Sequence, residues 1–172
     1  MLKTRLTLAG LLGACLALLF VGSIALLGAA PMIAPPIGAT AFLCASAPTA
    51  PASSPRNVLY GHAIGLVCGY VSAMLFGAWD LGAALAGSMT SAHVFASSLA
   101  LALTTGFMLK LRCHHPPAGA TTLVVALGVI RSPMSMLHLE LGAALVVVFA
   151  ALWHRVRGVH YPAWKPLFQP KV

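Results

Sequence analysis

Only two carboxylates, Asp80 and Glu140, stand among 172 residues of which 60% are hydrophobic. Charged residues make up 7% of the chain, where a water-soluble domain carries roughly 25%. Such a chain cannot cover a wet surface with ions. The apolar residues fall instead into four long runs, Leu6 to Leu27, Val58 to Trp79, Ala92 to Leu111 and Met136 to Trp153. Each reaches or approaches the ~20 apolar residues that a membrane-spanning helix needs. A mean hydropathy of +0.95 agrees. A soluble enzyme, a secreted disulfide scaffold and a disordered tail are excluded. The expected class is all-α, a polytopic membrane protein, with residues 1–172 as a single transmembrane domain.

The N-terminus imitates a secretion signal, with Lys3 and Arg5 ahead of an apolar run and Gly28-Ala29-Ala30 behind it. That run is 22 residues long, against roughly 7–15 in a signal peptide, so it reads as the first helix. The net charge is +8. Most basic residues flank apolar runs, as Lys110 and Arg112, Arg155 and Arg157, Lys165 and Lys171 do. That is the pattern of interfacial anchors rather than of nucleic-acid binding. Cys15, Cys44, Cys68 and Cys113 contain no C-x-x-C pair and read as small buried hydrophobes.

Two shorter apolar stretches, Pro36 to about Ala47 and Pro117 to Ile130, lie between the long ones. They open on Pro35-Pro36-Ile37-Gly38-Ala39-Thr40 and Pro116-Pro117-Ala118-Gly119-Ala120-Thr121, identical at five of six positions and 81 residues apart. The same offset carries Gly61 to Gly142 and Ala63 to Ala144. Each half thus reads long helix, Pro-Pro-x-Gly-Ala-Thr segment, long helix, with one repeat over about 6–79, the other over about 92–155, and a cytoplasmic tail over 156–172. If the short segments cross the membrane, nine of the ten basic residues lie on one side and only Arg131 on the other. If they do not, the division is six to four. The positive-inside rule favours six crossings with both termini cytoplasmic. Three crossings per half make the two halves inverted repeats, and short Pro/Gly-interrupted segments at matching places point to a transport site near the midplane.

The motif has a physical logic. Its first proline drives the preceding residue out of the α region, and its second suits the first turn of a helix. The chain therefore goes in extended and then starts a short helix, whose N-terminus is expected to carry free N–H groups and about half a positive charge. Gly38 and Gly119 permit close approach, and Thr40 and Thr121 offer hydroxyls one turn in. Two such N-termini facing each other favour an anion. The second copy adds His114-His115 where the first has Ile33-Ala34. His114 reads as an interfacial residue, and His115 as a donor or proton carrier. His62 lies within an apolar run, after Arg56-Asn57, and is a functional candidate; His93 reads as a helix cap, and His138, His154 and His160 as interfacial. Gly61, Gly65, Gly69, Ala73 and Gly77, four apart, make a small-residue face for close packing, within the protomer or across a homodimer. No nucleotide-binding loop, zinc-protease or hydrolase motif occurs.

The stretch His115-Pro116-Pro117-Ala118-Gly119-Ala120-Thr121 resembles the signature of the HPP family of integral membrane proteins. Pro36-x-Gly38-Ala39-Thr40, Pro55-Arg56-Asn57-Val58 and Gly61-His62 resemble that family as well, over about residues 10–155. Plant members are associated with nitrite movement, so the resemblance implies a transporter or channel for a small monovalent anion, nitrite or nitrate first, and not an enzyme. In that reading Gly38, Ala39, Thr40, His115, Gly119, Ala120, Thr121 and Thr122 bind the anion, and Arg56, Asn57 and His62 attract or gate it. Neither a cofactor nor a metal is implied. The expected partners are the anion, lipid and a second copy of the chain, in a bacterial inner membrane. Alternatives are a copper-like metal handler using Cys113-His114-His115 and Met134, Met136 and His138, and a non-transporting assembly subunit.

Overall fold

The computed structural model describes residues 2–81, 83–84, 87 and 89–167, with side chains from residue 8 onward. Lys171 and the rest of 168–172 lie outside the described residues. The described residues form six helices: α1 (Leu2–Leu27), α2 (Pro35–Ser46), α3 (Pro55–Leu75), α4 (Ser91–Lys110), α5 (Pro117–Ala126) and α6 (Pro133–Val156), with a 3₁₀ turn at Pro51–Ser53. Among the described residues there is no strand. Of the six, α1, α3, α4 and α6 are long and apolar enough to cross a membrane. This is an integral membrane protein.

Local chemistry starts and stops these helices. Proline occupies the first turn of α2, α3, α5 and α6, where its missing N–H costs nothing. The Ser132 hydroxyl accepts from Ser135 N–H to cap α6. Thr90 and His93 cap each other's backbone at the start of α4. The ends of α1, α3, α4, α5 and α6 share one device: an N–H bonded five residues back, such as Cys113 to Met108 and Ala78 to Ala73, after a residue of positive φ. That residue is Gly77, Gly128 or Gly158 in three helices, and Ala29 or Arg112 in the other two. Such a turn satisfies carbonyls that the helix end would leave bare.

Contacts give each helix its direction. Gly13 lies beside Ala45, and Gly22 beside Ile33, so α2 folds back along α1. Gly142 lies against Met32, and His154 Nε2 bonds Cys44 O at 2.9 Å, so α2 and α6 run parallel. Gly61 meets His115 and Ala118, Gly65 meets Ala118 and Thr122, and Gly69 meets Thr122 and Val125, so α3 and α5 run parallel. One end of the bundle collects the start of α3 and α5 and the close of α2, α4 and α6. There the Arg56 guanidinium donates to Arg112 O and Leu111 O, each at 2.9 Å. Tyr161 O–H donates to Ser53 O at 2.7 Å, tying the C-terminal segment to the same end. Burial pushes the Tyr161 phenol well above its ordinary range, so it remains a donor.

The glycine face of α3 is an intramolecular seam. A Cβ on Gly65 would stand 2.8 Å from Ala118 O, and one on Gly69 2.8 Å from Thr122 O. Both obstacles are backbone, which cannot rotate away. Ala73 continues the face, buried against Ala78 and Ala96. Gly77 does not belong to it: it is exposed, follows the end of α3 at φ 66°, and a Cβ there would meet no atom within 4 Å. Its glycine serves the helix stop, not packing. Gly65→Leu is expected to destabilise the fold by about 1–3 kcal/mol or prevent it altogether, as overpacking does. Thermal unfolding in detergent measures this; an unchanged midpoint would place the seam elsewhere.

Candidate functional site

Four residues that the sequence singles out meet at the crossing of α2, α3 and α5. Thr40, His62, His115 and Thr121 are all buried, each at 0% exposure. Thr40 Oγ1 lies 2.9 Å from His62 Nε2 and 3.0 Å from His115 Nε2. His62 Nδ1 lies 2.6 Å from Thr121 Oγ1. His115 Nδ1 donates to Ala52 O at 2.7 Å, since a carbonyl can only accept. The two rings stand edge to face with centroids 4.9 Å apart.

The arrangement links the halves of the chain. Thr40 and Thr121 occupy the same position in the two Pro-Pro-x-Gly-Ala-Thr segments, and His62 holds one with each ring nitrogen. The polar pair has room because Gly61 presents no side chain: a Cβ there would lie 2.7 Å from His115 Cβ. Below this, Thr122 donates to Ala118 O at 3.0 Å and shares a hydrogen bond with Thr104 at 2.9 Å.

A cleft of about 200 Å³ opens beside His115, between α4 and α5. Leu101, Thr104, Met108, His114, His115 and Gly119 help to line it. A water in liquid occupies about 30 Å³, so the cleft accommodates a few waters or one small polyatomic ion. His114 Nε2 is buried without a hydrogen-bond partner. A buried polar nitrogen left unbonded costs about 1–3 kcal/mol.

Several expectations need correction. The N–H groups at the two short-helix starts are not free. Ile37 N and Gly38 N both bond Ala34 O, Ala118 N bonds His115 O, and Gly119 N bonds Pro116 O. Two prolines at each start supply no donor, and the lead-in carbonyl closes the first turn. The two N-termini do not abut head-on either: α2 and α5 run antiparallel and overlap side by side through His62. Gly38 is half-buried with open space around it, and Ala39 is exposed, so neither joins the cluster. Ala120 is half-buried on α5.

Arg56 and Asn57 have structural partners. Besides its two carbonyls, Arg56 donates to Asn57 Oδ1 at 3.1 Å and lies over the Tyr60 ring, while Asn57 donates to Pro51 O at 3.0 Å. Arg56→Gln is expected to lower the unfolding midpoint with little change in anion affinity. A weakened affinity at an unchanged midpoint would return Arg56 to anion attraction. The sequence pattern places His114 and His154 at the interface. His154 is instead fully buried against Cys44 O, and His114 lines the cleft. The partners Ala52 and Thr104 carried no sequence signal, because a carbonyl acceptor has no residue type and Thr104 sits inside an ordinary apolar run.

The class defined by this fold and cluster is a small helical membrane protein with a buried histidine–threonine centre at two short proline-started helices. The family description "HPP, transmembrane region" matches residues 1–162, and the chain belongs to that family. No curated protein and no solved structure matches it.

Proposed function

We propose that the chain carries a small monovalent anion across the membrane, nitrite or nitrate first, and catalyses no reaction. The observation that carries this reading is the cleft at the start of α5, lined in part by His114, His115 and Gly119. Among the described residues no three His, Cys, Asp or Glu side chains come together as a metal site. Binding tests the reading: nitrate or nitrite titrated into purified protein should saturate one site, weakened in His114→Ala. No saturable binding of either anion would refute it.

The proposal includes six crossings as inverted repeats, with both termini at the cytoplasmic face of a bacterial inner membrane. The α2 and α5 helices, of 12 and 10 residues, are only about 18 and 15 Å long at 1.5 Å per residue. The lead-in to α2, which ends on extended Ala34, makes up length: residues 31–34 add about 13 Å. Reciprocal packing supports the repeat. Gly61 of the first half lies on the lead-in to α5, and Gly142, 81 residues later, lies on the lead-in to α2. Labelling decides the topology: Lys110→Cys should react from the cytoplasmic side and Arg131→Cys from the opposite side. Reaction of both from one side would overturn six crossings. A homodimer is proposed only as a partner in the membrane, since the glycine seam is already filled.

A further inference from the structure

Three groups surround the Thr40 hydroxyl: Pro36 O at 2.9 Å, His62 Nε2 at 2.9 Å and His115 Nε2 at 3.0 Å. A hydroxyl has one hydrogen and two lone pairs. Pro36 O can only accept, so satisfying it takes the hydrogen. Both ring nitrogens must then arrive as N–H donors. His115 already needs a hydrogen on Nδ1 for Ala52 O, so with all contacts satisfied it carries one on each nitrogen. His62 differs. Its Nδ1 faces the Thr121 hydroxyl, which can donate, so His62 is complete as the neutral Nε2–H tautomer. Remove one proton from His115 and the Thr40 hydrogen turns from Pro36 O to His115 Nε2. The cluster therefore has two hydrogen-bonded arrangements that differ by a single proton.

We propose that His62, Thr40 and His115 form a one-proton site that loads together with the anion in the adjoining cleft, with the Thr40 hydroxyl as its switch. The proposal rests on the anion reading above. The proton comes from water through the cleft and bonds to the lone pair of His115 Nε2. The Thr40 O–H rotates without breaking, and release reverses both movements. The loaded pair is one proton and one monovalent anion, so no net charge stays buried. Duplication does not double the site. An offset of 81 residues places Ala34 opposite His115 and Ala143 opposite His62, so there is one centre per chain.

No other charge takes this role. The ionisable groups on the elements around the pair are Arg56, Tyr60, Cys68 and Tyr70 on α3, His93 and Lys110 on α4, Cys44 on α2, and Arg112, Cys113 and His114 on the segment before α5. The α6 helix, packed on α2 and α3, adds His138, Glu140, His154 and Arg155. The α5 helix and the 3₁₀ turn carry none. Neither ring hydrogen-bonds to any of these groups.

The test is nitrate affinity against pH, with the full chain in nanodiscs. A site filled by anion and proton together loses about tenfold in apparent affinity per pH unit above its free titration, the slope of one-proton linkage. Acid favours the loaded state, so affinity rises as pH falls. His115→Gln and Thr40→Val should flatten the slope, and Thr40→Ser, which keeps the hydroxyl, should retain it. In nitrate-bound protein, ¹⁵N spectra of labelled histidine should show one ring protonated on both nitrogens, absent in His115→Gln. A pH-independent affinity in the wild type, or a full slope in His115→Gln, overturns the proton site and leaves nitrate binding standing. Absence of any nitrate or nitrite binding overturns the anion reading, and with it the coupling. The ¹⁵N spectrum at acid pH serves if a variant fails to fold: no doubly protonated buried ring overturns the proton site by itself.

Discussion

Replacing His62 with alanine is expected to abolish transport and to cost the fold about 2–5 kcal/mol. The ring is fully buried and makes one hydrogen bond to each repeat, 2.9 Å to Thr40 and 2.6 Å to Thr121. Alanine leaves a cavity and strips Thr121 of its ring partner. The Thr121 hydroxyl can fall back on its own helix, but the link between α2 and α5 is gone. Thermal unfolding and anion flux, measured on the same preparation, read the two effects. A variant with an unchanged midpoint and wild-type flux would show that His62 merely fills space. His62→Gln, which keeps an amide donor and acceptor, should recover part of the stability and little of the transport.

Gly119→Trp is expected to bring flux down to the level of protein-free vesicles without unfolding the protein. Gly119 lines the cleft beside His114 and His115, and a Cβ there would meet only Leu101 Cδ1, at 3.5 Å. That is an ordinary contact, so Gly119→Ala should be nearly silent in stability and modest in flux. An indole on the same Cβ occupies the cleft itself. This position thus differs from Gly61 and Gly65, where even a methyl group collides. Wild-type flux in Gly119→Trp would move the anion route away from this cleft.

Most of the fold was legible because membrane helices announce themselves by length and polarity. The run Ala92 to Leu111 became Ser91–Lys110, and the duplicated Pro-Pro motif marked the start of both short helices to within a residue. The role of each small residue was harder to read. Gly69 and Gly77 share a spacing, yet one faces the α5 backbone and the other terminates α3. Periodicity gives a face, and only the helix end decides where that face stops. The site was half legible. Thr40, His62, His115 and Thr121 were singled out separately, each as a polar group where water is scarce. That they bond one another depends on α2 and α5 overlapping, which no local pattern encodes. The expected free N–H groups failed for a local reason instead: Ala34 O and His115 O close the first turns. His114 and His154 show the limit of reading depth from sequence, since a histidine near a helix end can point either to solvent or inward.

The most direct measurement is flux through purified protein in liposomes, with a panel of anions and cations and with Gly119→Trp as the control. The account predicts that nitrite and nitrate enter well above protein-free vesicles, that cations do not, that acid on the loading side speeds uptake, and that the control is inert. Vesicles no more permeable to any small anion than empty ones, with the protein folded and inserted, would contradict it.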